Sequence, residues 1–395
     1  MRILFYLPVV TPWWFEQIIL LLIEKLAVEN EVHILAPTHW QGTGLGQQQF
    51  DLCAHLPQLT WHIVNDKDHP SMRTDAVQRE QIIAFVQSLK PDVVLCRTAD
   101  FKTAAGFPGI VRHITEGGAD PLPLPVGAVH LTEQPFDHGL LPALGEDHQA
   151  RLHTLIEPFW EPLVNSREAQ LTAQSAFREW ACLPDDRPIL FLPLEYENAE
   201  NFYAIHRVGS ATNVELVKDV LSQLDGRVFL ALTNHPLNEL YVDNSALEEL
   251  VQAHGDKVRL LPGEAPRGSR STAMLMRTAD GVLLGDSKCY SLAGLCGTPI
   301  IRQSRFRTGD WLNANDDLDA FVTALILGDT TPPNAATART WFAYHAANNL
   351  ISPKASSLTG QDILDRLENP FDPDRWEKNL GVFSVSWSQS EDMLA

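Results

Sequence analysis

The sequence is poor in cysteine and in positive charge, and both shortages exclude classes of protein. Its five cysteines are scattered and odd in number, without the spacing of a zinc site or a disulfide framework. Lys and Arg number 30 against 50 Asp and Glu, which gives a formal net charge of −20. Such a surface repels nucleic acid and anionic lipid, so an anionic ligand needs a local pocket. We expect a reducing, cytoplasmic location. A position at the inner face of the cytoplasmic membrane is an open alternative.

A long apolar run is also missing. The first residues, MRILFYLPVV, contain no small-residue cleavage site, and the IILLLI run at 18–23 is bounded by Glu16, Glu24 and Lys25. We therefore expect neither a signal peptide nor a membrane span. The two stretches are predicted to form a buried strand and the helix that follows it.

Several ligand-binding motifs are absent as well. No P-loop and no DxD-type metal motif accompanies the candidate ligand-binding residues described below, and there is no GxGxxG between a strand and a helix. The GTGLG stretch at 42–46 lies outside that register, so we expect a flexible loop there. The sequence thus predicts a site without metal or resident cofactor.

What the sequence does contain is a repeated alternation of short apolar runs with longer amphipathic ones, which is typical of a parallel sheet covered on both faces. The alternation starts with RILFYLPVV, restarts with RPILFLPL at 187, and ends before a helical stretch from 337. At roughly 150 residues per domain, 395 residues make two domains. We predict an α/β protein with two Rossmann-like domains facing a cleft: residues 1–165, residues 185–335, and a helical tail, 336–395, that crosses back.

Polar residues follow three apolar runs of the second domain, where parallel sheets bind ligands. They are Asn234 and His235, Gly263 and Glu264, and Asp286, Ser287 and Lys288.

Together these residues suit a nucleoside monophosphate ester. A helix that begins at Ser287 would offer free N–H groups to a phosphate, and Lys288 would add a point charge. His235, held by the following proline, would donate to a phosphate or leaving-group oxygen, while Glu264 would accept from ribose hydroxyls.

Each piece also has a purely structural interpretation. His235 would then cap a turn, Ser287 would be an N-cap, and the Gly263–Glu264 pair would be a common turn. Their conjunction at three strand ends favours the functional interpretation. Cys289 and Cys296 are predicted core residues.

With these motifs the sequence resembles bacterial enzymes that transfer 3-deoxy-manno-octulosonic acid (Kdo) from CMP-Kdo. The resemblance is to the retaining β-Kdo transferase domains of lipopolysaccharide O-antigen and capsule synthesis. The segments that carry the resemblance, FLALTNHP and LLGDSKCYSLAGLCGTPII, lie in the second domain. CMP-sialic acid transferases of B-type glycosyltransferase fold are similar in the same features. The resemblance implies a metal-independent transferase that moves Kdo to a saccharide acceptor.

The resemblance also implies roles for single residues. His235 and Ser287 would contact the CMP phosphate, and Lys288 would neutralise that phosphate or the sugar carboxylate. A carboxylate nucleophile is implied beside His-Pro, where this chain has Asn234, and an amide is a far poorer nucleophile. Three interpretations stay open: a substituted Asp, a nucleophile elsewhere, or an inverting or inactive relative. The candidates elsewhere are Glu195, Glu197 and Asp286.

The first domain is expected to present the acceptor. Glu116 is our first candidate for the general base, ahead of Glu133 and His138. Gly117 and Gly118 would permit a close backbone approach or simply form a tight turn. Two tryptophans after the first strand, Trp13 and Trp14, would stack on sugar rings or start the next helix as core residues.

Two other classes of function remain as alternatives. One is a UDP-sugar epimerase or hydrolase of the same architecture, which preferential binding of UDP would reveal. The other is a non-catalytic glycan-binding module. The ending WSQSEDMLA has no predicted structure, which leaves open one module of a larger synthase.

Overall fold

The computed structural model describes residues 1–39, 43–64, 76–97, 100–117, 127–171, 174–197 and 207–382. The chain divides into two compact units. The first unit comprises the described parts of Met1–Gly117, Pro123–Asp137 and Tyr344–Ala395, and the second those of His138–Ala343. Each unit contains a parallel sheet, so the predicted α/β fold with two domains is confirmed.

The sheet of the first unit has the strand order β3-β2-β1-β4-β5-β6, with only β6 antiparallel. Its strands are β1 Arg2–Tyr6, β2 Glu31–Pro37, β3 Leu59–Val64, β4 Val93–Cys96, β5 Ile110–Glu116 and β6 Val129–Thr132. The helices between them are α1 Pro12–Trp14, α2 Leu20–Leu26, α3 Gln47–Leu52, α4 Arg79–Leu89 and α5 Phe101–Ala104. A π-helical stretch, Phe15–Ile19, joins α1 to α2, so the predicted helix after the first strand is present.

The second unit has five strands, all parallel, in the order β11-β10-β7-β8-β9. They are β7 Ile189–Pro193, β8 Phe229–Thr233, β9 Val258–Leu261, β10 Gly281–Leu284 and β11 Ile300–Arg302. The chain adds β8 and β9 on one side of β7, and β10 and β11 on the other. The order therefore reverses between β7 and β10, and the crevice beyond the carboxyl ends of such strands is where ligands bind in these sheets.

Helices cover this second sheet because its strands are apolar on both faces. The helices are α6 Glu146–Leu171, α7 Gln174–Trp180, α8 Asn213–Leu224, α9 Pro236–Tyr241, α10 Ser245–Ala253, α11 Ser271–Thr278, α12 Tyr290–Cys296, α13 Leu318–Leu327 and α14 Ala335–Tyr344. Cys289 and Cys296 pack against one apolar cluster of this unit, as predicted for core residues.

The unit boundaries differ from the predicted ones at two places. Residues 138–165, expected in the first domain, lie in the second unit, because α6 is part of that compact body. The chain after Tyr344 lies in the first unit, where it forms the π-helix His345–Asn349 and then α15, Gly360–Glu368. This last part belongs to the core of the first unit: Trp376 is fully buried, and Ile351 exchanges two backbone hydrogen bonds with Val129 of β6.

No helix in the described part of the chain is both long and apolar enough to cross a membrane.

Candidate active site

The carboxyl edge of the second sheet collects the residues that follow its strands. They are 194–197 after β7, 234–235 after β8, 262–264 after β9, and 285–288 after β10. The strand ends predicted to carry ligand-binding groups therefore lie along one edge. They are not successive neighbours, however, because β7 lies between β8 and β10. That insertion brings residues 195–197 into the middle of the site.

A fully buried amide, Asn238 in the first turns of α9, ties two of these strand ends together. Its Nδ2 donates to the carbonyl of Glu195 (2.9 Å), and its Oδ1 accepts from the amide of Glu197 (2.8 Å). The same Nδ2 donates to Oδ1 of Asn234 (2.7 Å). Because backbone groups fix which end of Asn238 is the donor, they also fix the orientation of Asn234.

Asn234 uses both ends of its amide. Its Oδ1 accepts from Asn238 and from the backbone N–H of His235 (3.0 Å), and its Nδ2 donates to Oδ1 of Asn244 (2.9 Å). The amide of Asn244 is itself oriented by two backbone carbonyls, those of Asn238 and Val242. A carboxylate at 234 would keep the two accepted bonds and place an oxygen against the Asn244 oxygen. The hydrogen bonds at this position are thus those of an amide.

His235 is the N-cap of α9, as its structural interpretation predicted. Its Nδ1 accepts from the amide of Leu237 (3.2 Å), with Pro236 at the first helical position. The neutral ring therefore carries its hydrogen on Nε2. Its face stacks on Tyr196, at 5.6 Å between centroids and 25° between planes. The cap and the stacking fix the ring at the edge of the sheet.

The turn after β9 is exposed and closes on the start of α11. The backbones of Glu264 and Arg270 form an isolated antiparallel β-bridge, and the carbonyl of Gly263 accepts from the amide of Ser271 (3.1 Å). A Cβ at position 263 would meet no atom within 4 Å, so this glycine is not required by close packing.

The predicted helix start at Ser287 is wrong by one turn. Helix α12 begins at Tyr290, and residues 287–289 form a turn in which Ser287 Oγ accepts from the amide of Cys289 (3.3 Å). Ser287 and Lys288 are half-buried and lie between the end of β10 and this helix. The hydroxyl caps the turn rather than the helix itself.

Asp286 is buried and held by neutralising partners. Its Oδ1 accepts from Ser304 Oγ (2.6 Å) and from Nη2 of Arg302 at the end of β11 (3.3 Å). The Asp286 carbonyl accepts from Nε2 of His138 (3.0 Å), whose ring stacks on Tyr290. These contacts make Asp286 a fixed structural carboxylate.

His138, a candidate for the base after Glu116, was expected in the first domain, and that placement is wrong. The residue lies in the second unit, buried between the Asp286 carbonyl and the Tyr290 ring. The chain enters the second unit after Asp137, where the backbones of His138 and Thr308 form an isolated β-bridge.

Glu195, at the point where the strand order reverses, is a buried carboxyl. Its Oε1 accepts from the amide of Asp286 (3.0 Å) and approaches Gly285 so closely that a Cβ there would lie 2.9 Å away. Burial raises the pKa of Glu195 to about 7, against the lowering effect of Arg207 and with the negative charge of Asp286 adding to the rise. The carboxyl is therefore partly protonated at neutral pH.

Arg207 is the cation that sequence reasoning missed. Its side chain is only 5% exposed; Nη2 donates to Asn213 Oδ1 (2.7 Å) and lies 3.8 Å from Glu195 Oε2. Within the described part of the chain, its Nε and Nη1 have no hydrogen-bond partner. Arg207 lines a small solvent-open recess of about 20 Å³ together with Pro193, Glu195, Gly285 and Gln303. A buried guanidinium with unused N–H groups favours binding of an anion.

In the first unit, three side chains meet beyond the carboxyl ends of β1, β4 and β5. The guanidinium of Arg97 lies 3.7 Å from the ring centroid of Trp14, and its Nη2 is 3.9 Å from Oε1 of Glu116. The Glu116 side chain is 40% exposed. Trp14 is buried, as predicted for a core residue, whereas Trp13 is 51% exposed, and its stacking on a sugar ring stays a prediction.

The other predicted residues of the first unit have structural contacts. Gly117 is packed, since a Cβ would lie 2.7 Å from Leu350, and its carbonyl accepts from Nε2 of His345 (2.5 Å). Burial lowers the pKa of His345 to about 4. Glu133 is exposed and 3.9 Å from Arg112 Nη2. Gly118, residue 42 of the glycine-rich stretch and the ending WSQSEDMLA lie outside the described residues.

Across the ranges that the structure describes, no group of three or more His, Cys, Asp or Glu side chains has an arrangement that could hold a metal ion.

Neither a protein-family model nor a curated protein sequence matches this chain. Among solved structures, it is similar to Thermosulfurimonas dismutans KpsC, a β-Kdo 2,7 transferase, at 12% identity and a TM-score of 0.36 over 75% of this chain and 96% of that one. A glycosyltransferase from Rickettsia africae is similar at 10% identity and a TM-score of 0.32, over 99% of this chain and 98% of that one. The UDP-GlcNAc 2-epimerase of Methanocaldococcus jannaschii is similar at 14% identity and a TM-score of 0.29, over 86% of this chain and 97% of that one. All three TM-scores lie below 0.5, so the proposals below rest on the chain's own residues.

The pKa of Glu195 predicts how the stability of the second unit depends on pH. The folded carboxyl keeps its proton up to about pH 7, whereas the unfolded one loses it near its ordinary value. Its contribution to stability is therefore fully present below about pH 4.5 and is lost as the pH rises to about 7, by up to about 3 kcal/mol. Glu195→Gln should remove this loss, as urea unfolding of both proteins across that range will measure.

The exposed residue Glu239 in α9 provides the control, since Glu239→Gln should leave the pH profile unchanged. Parallel pH profiles for wild type and Glu195→Gln would contradict the assignment.

Proposed function

We propose that this chain is a glycosyltransferase of B-type fold that takes a CMP-activated sugar acid, CMP-Kdo first, as donor. The acceptor would be a saccharide of a bacterial surface polysaccharide. One observation carries the proposal: the carboxyl edge of the second sheet gathers Arg207, His235 and Lys288 on a chain whose net charge is −20. The two positive charges, together with the Nε2–H donor of the neutral His235 ring, attract an anionic ligand that the rest of the surface repels.

The chemistry of the donor matches this small set of basic groups. A CMP-linked sugar acid carries one phosphate and one carboxylate, and both anions need donors in a partly buried place. Arg207 offers unused N–H groups beside the recess, and Lys288 offers an ammonium on the turn after β10. The ring of His235, with its hydrogen on Nε2, is suited to donate to a phosphate or leaving oxygen.

The proposed reaction retains configuration through two displacements. The first displacement needs a carboxylate at position 234, as in Asn234→Asp: its oxygen bonds to the anomeric carbon as the bond to the phosphate oxygen breaks, and CMP leaves with the electron pair. The acceptor hydroxyl then displaces the carboxylate and gives its proton to a base, for which we propose Glu116. At position 234 this chain has an amide, so it should bind the donor and turn it over slowly.

The open alternatives for the nucleophile are less well placed. Asp286 is neutralised by Arg302 and Ser304, and Glu195 is partly protonated at neutral pH. Glu197 Oε2 accepts from the amide of Asn213, at 2.5 Å. Position 234, beside His235, is our proposal for the adduct, and it requires the Asn244 amide, whose Oδ1 now accepts from Asn234, to move away from an Asp at 234.

Nucleotide binding gives the first test. CMP should raise the melting temperature of this chain more than UDP does, and Arg207→Gln should weaken CMP binding by about tenfold to a hundredfold, because a charged hydrogen bond is lost. Isothermal titration measures both affinities. The matched control is Arg187→Gln, a half-buried arginine at the amino end of β7, which should bind CMP like the wild type.

Tighter binding of UDP than of CMP would overturn the donor assignment and favour the epimerase or hydrolase. Binding of glycan without either nucleotide would favour the non-catalytic module.

The second test places the nucleophile. Intact-protein mass after incubation with freshly generated CMP-Kdo should show a covalent Kdo on Asn234→Asp, with faster CMP release than from the wild type. Adding Glu116→Gln to that variant should leave the adduct intact and slow its transfer to an acceptor by about a hundredfold, because only the second displacement needs the base.

If Asn234→Asp gains no mass while CMP still binds, position 234 is not the nucleophile. If Glu116→Gln leaves transfer unchanged, the base lies elsewhere.

A further inference from the structure

Two buried side chains that can carry opposite charges lie together where the strand order of the second sheet reverses. Oε2 of Glu195 is 3.8 Å from Nη2 of Arg207, and the two side chains are 10% and 5% exposed. This distance is too long for a hydrogen bond, and the same nitrogen donates instead to the neutral Oδ1 of Asn213 (2.7 Å). The carboxyl and the guanidinium are therefore neighbours that do not satisfy each other's hydrogen-bonding groups.

The two oxygens of the Glu195 carboxyl have different surroundings. Oε1 accepts a hydrogen bond from the backbone N–H of Asp286 (3.0 Å), so this oxygen serves as an acceptor. Oε2 is the oxygen that approaches Arg207. When the carboxyl is neutral, its hydrogen therefore belongs on Oε2, from which it can be donated to a ligand.

The charged groups that act on Glu195 come from three elements of the second unit. Arg207 precedes α8, Asp286 follows β10, and Arg302 ends β11. Asp286 and Arg302 form an ion pair (3.3 Å), so their charges largely cancel. Burial raises the pKa of Glu195 to about 7, although Arg207 lowers it. The thiol of Cys289 also acts on this carboxyl and is itself neutral, because burial raises its pKa.

The protonation state of Glu195 consequently decides the charge of the recess that it lines with Arg207. An ionised Glu195 cancels the guanidinium, whereas a neutral Glu195 leaves one positive charge. The recess has a volume of about 20 Å³, which is room for one oxygen-sized group. Within the described part of the chain, Nε and Nη1 of Arg207 have no hydrogen-bond partner. The neutral form of Glu195 thus suits one oxygen of a singly charged anion.

We propose that Glu195 is a binding residue for the donor in its neutral form, in which Oε2–H donates to the phosphate oxygen that Arg207 binds. This role rests on the proposed function and adds a proton to it, because a donor that binds the ionised chain takes one up from solvent. The phosphodiester of a CMP-sugar has one negative charge, which the single positive charge of the recess balances. An ionised Glu195 would instead place a like charge against the phosphate.

Isothermal titration with the methyl ester of CMP tests this linkage. The ligand is a phosphodiester like the donor, and its phosphate does not titrate near neutral pH. Wild-type affinity should fall by about thirtyfold from about pH 6 to about pH 8.5, because binding to the ionised form requires a proton on Glu195. At about pH 7, binding should take up roughly half a proton, as heats in two buffers of different ionisation enthalpy will measure.

Glu195→Gln is the variant that decides the role of this residue. A glutamine keeps an acceptor for the Asp286 N–H and a donor for the ligand, and it cannot ionise. Its affinity should be equal at the two pH values and should exceed that of the wild type by about tenfold or more at the higher one. Such a gain cannot result from a damaged fold. The matched control is Glu239→Gln, an exposed carboxylate of α9, which should keep the wild-type pH dependence.

His235 also titrates and is proposed to meet the phosphate, so His235→Gln is measured in parallel. A pH dependence that is kept in Glu195→Gln and lost in His235→Gln would assign the proton to the imidazole and overturn the inference. If Glu195→Gln does not fold, by circular dichroism, proton uptake decides: uptake that persists in His235→Gln supports Glu195, and uptake that disappears overturns it.

The inference and the proposed function fail in different ways. Wild-type affinity that is the same at both pH values, without proton uptake, would overturn the role of Glu195 and leave the donor assignment standing. If neither CMP nor its methyl ester binds at any pH, both are wrong.

Discussion

The geometry of the candidate site depends on the buried amide of Asn238. It hydrogen-bonds to the backbone of Glu195 and Glu197 after β7 and to the side chain of Asn234 after β8, and so locks two strand ends to one another. An unsatisfied buried amide costs about 1–3 kcal/mol for each missing bond, so this arrangement has little freedom to change. His235 is held next to it by a cap and by the Tyr196 ring. Tightly held groups of this kind give a ligand site its precision.

The charge of the candidate site depends on how the buried arginines of this acidic chain are paired. Arg302 is neutralised by Asp286, whereas Arg207 faces a carboxyl that is partly protonated at neutral pH. The proposed donor site thus depends on a buried guanidinium whose hydrogen-bonding capacity the protein does not fully use.

The sequence predicts the fold class because apolar runs and amphipathic stretches alternate with the period of strands and helices. It also predicts that Asn234, His235 and Lys288 lie at the carboxyl edge of the second sheet, because they come shortly after apolar runs; their roles in binding stay predictions. It does not find Arg207 or the central role of Glu195, because strand order is a long-range property: the reversal between β7 and β10 cannot be read from local patterns. The helix start near Ser287 was misplaced because a hydroxyl caps a turn and a helix through similar contacts. His138 was assigned to the wrong unit because the loop around it gives no local boundary signal.

Hydrogen–deuterium exchange with and without CMP tests the central claim most directly, since it reports where the nucleotide binds. The account predicts slower exchange at residues 194–197, 234–238 and 285–290, the segments that follow β7, β8 and β10. Unchanged exchange at these segments when CMP is present, or protection confined to the first unit, would contradict it.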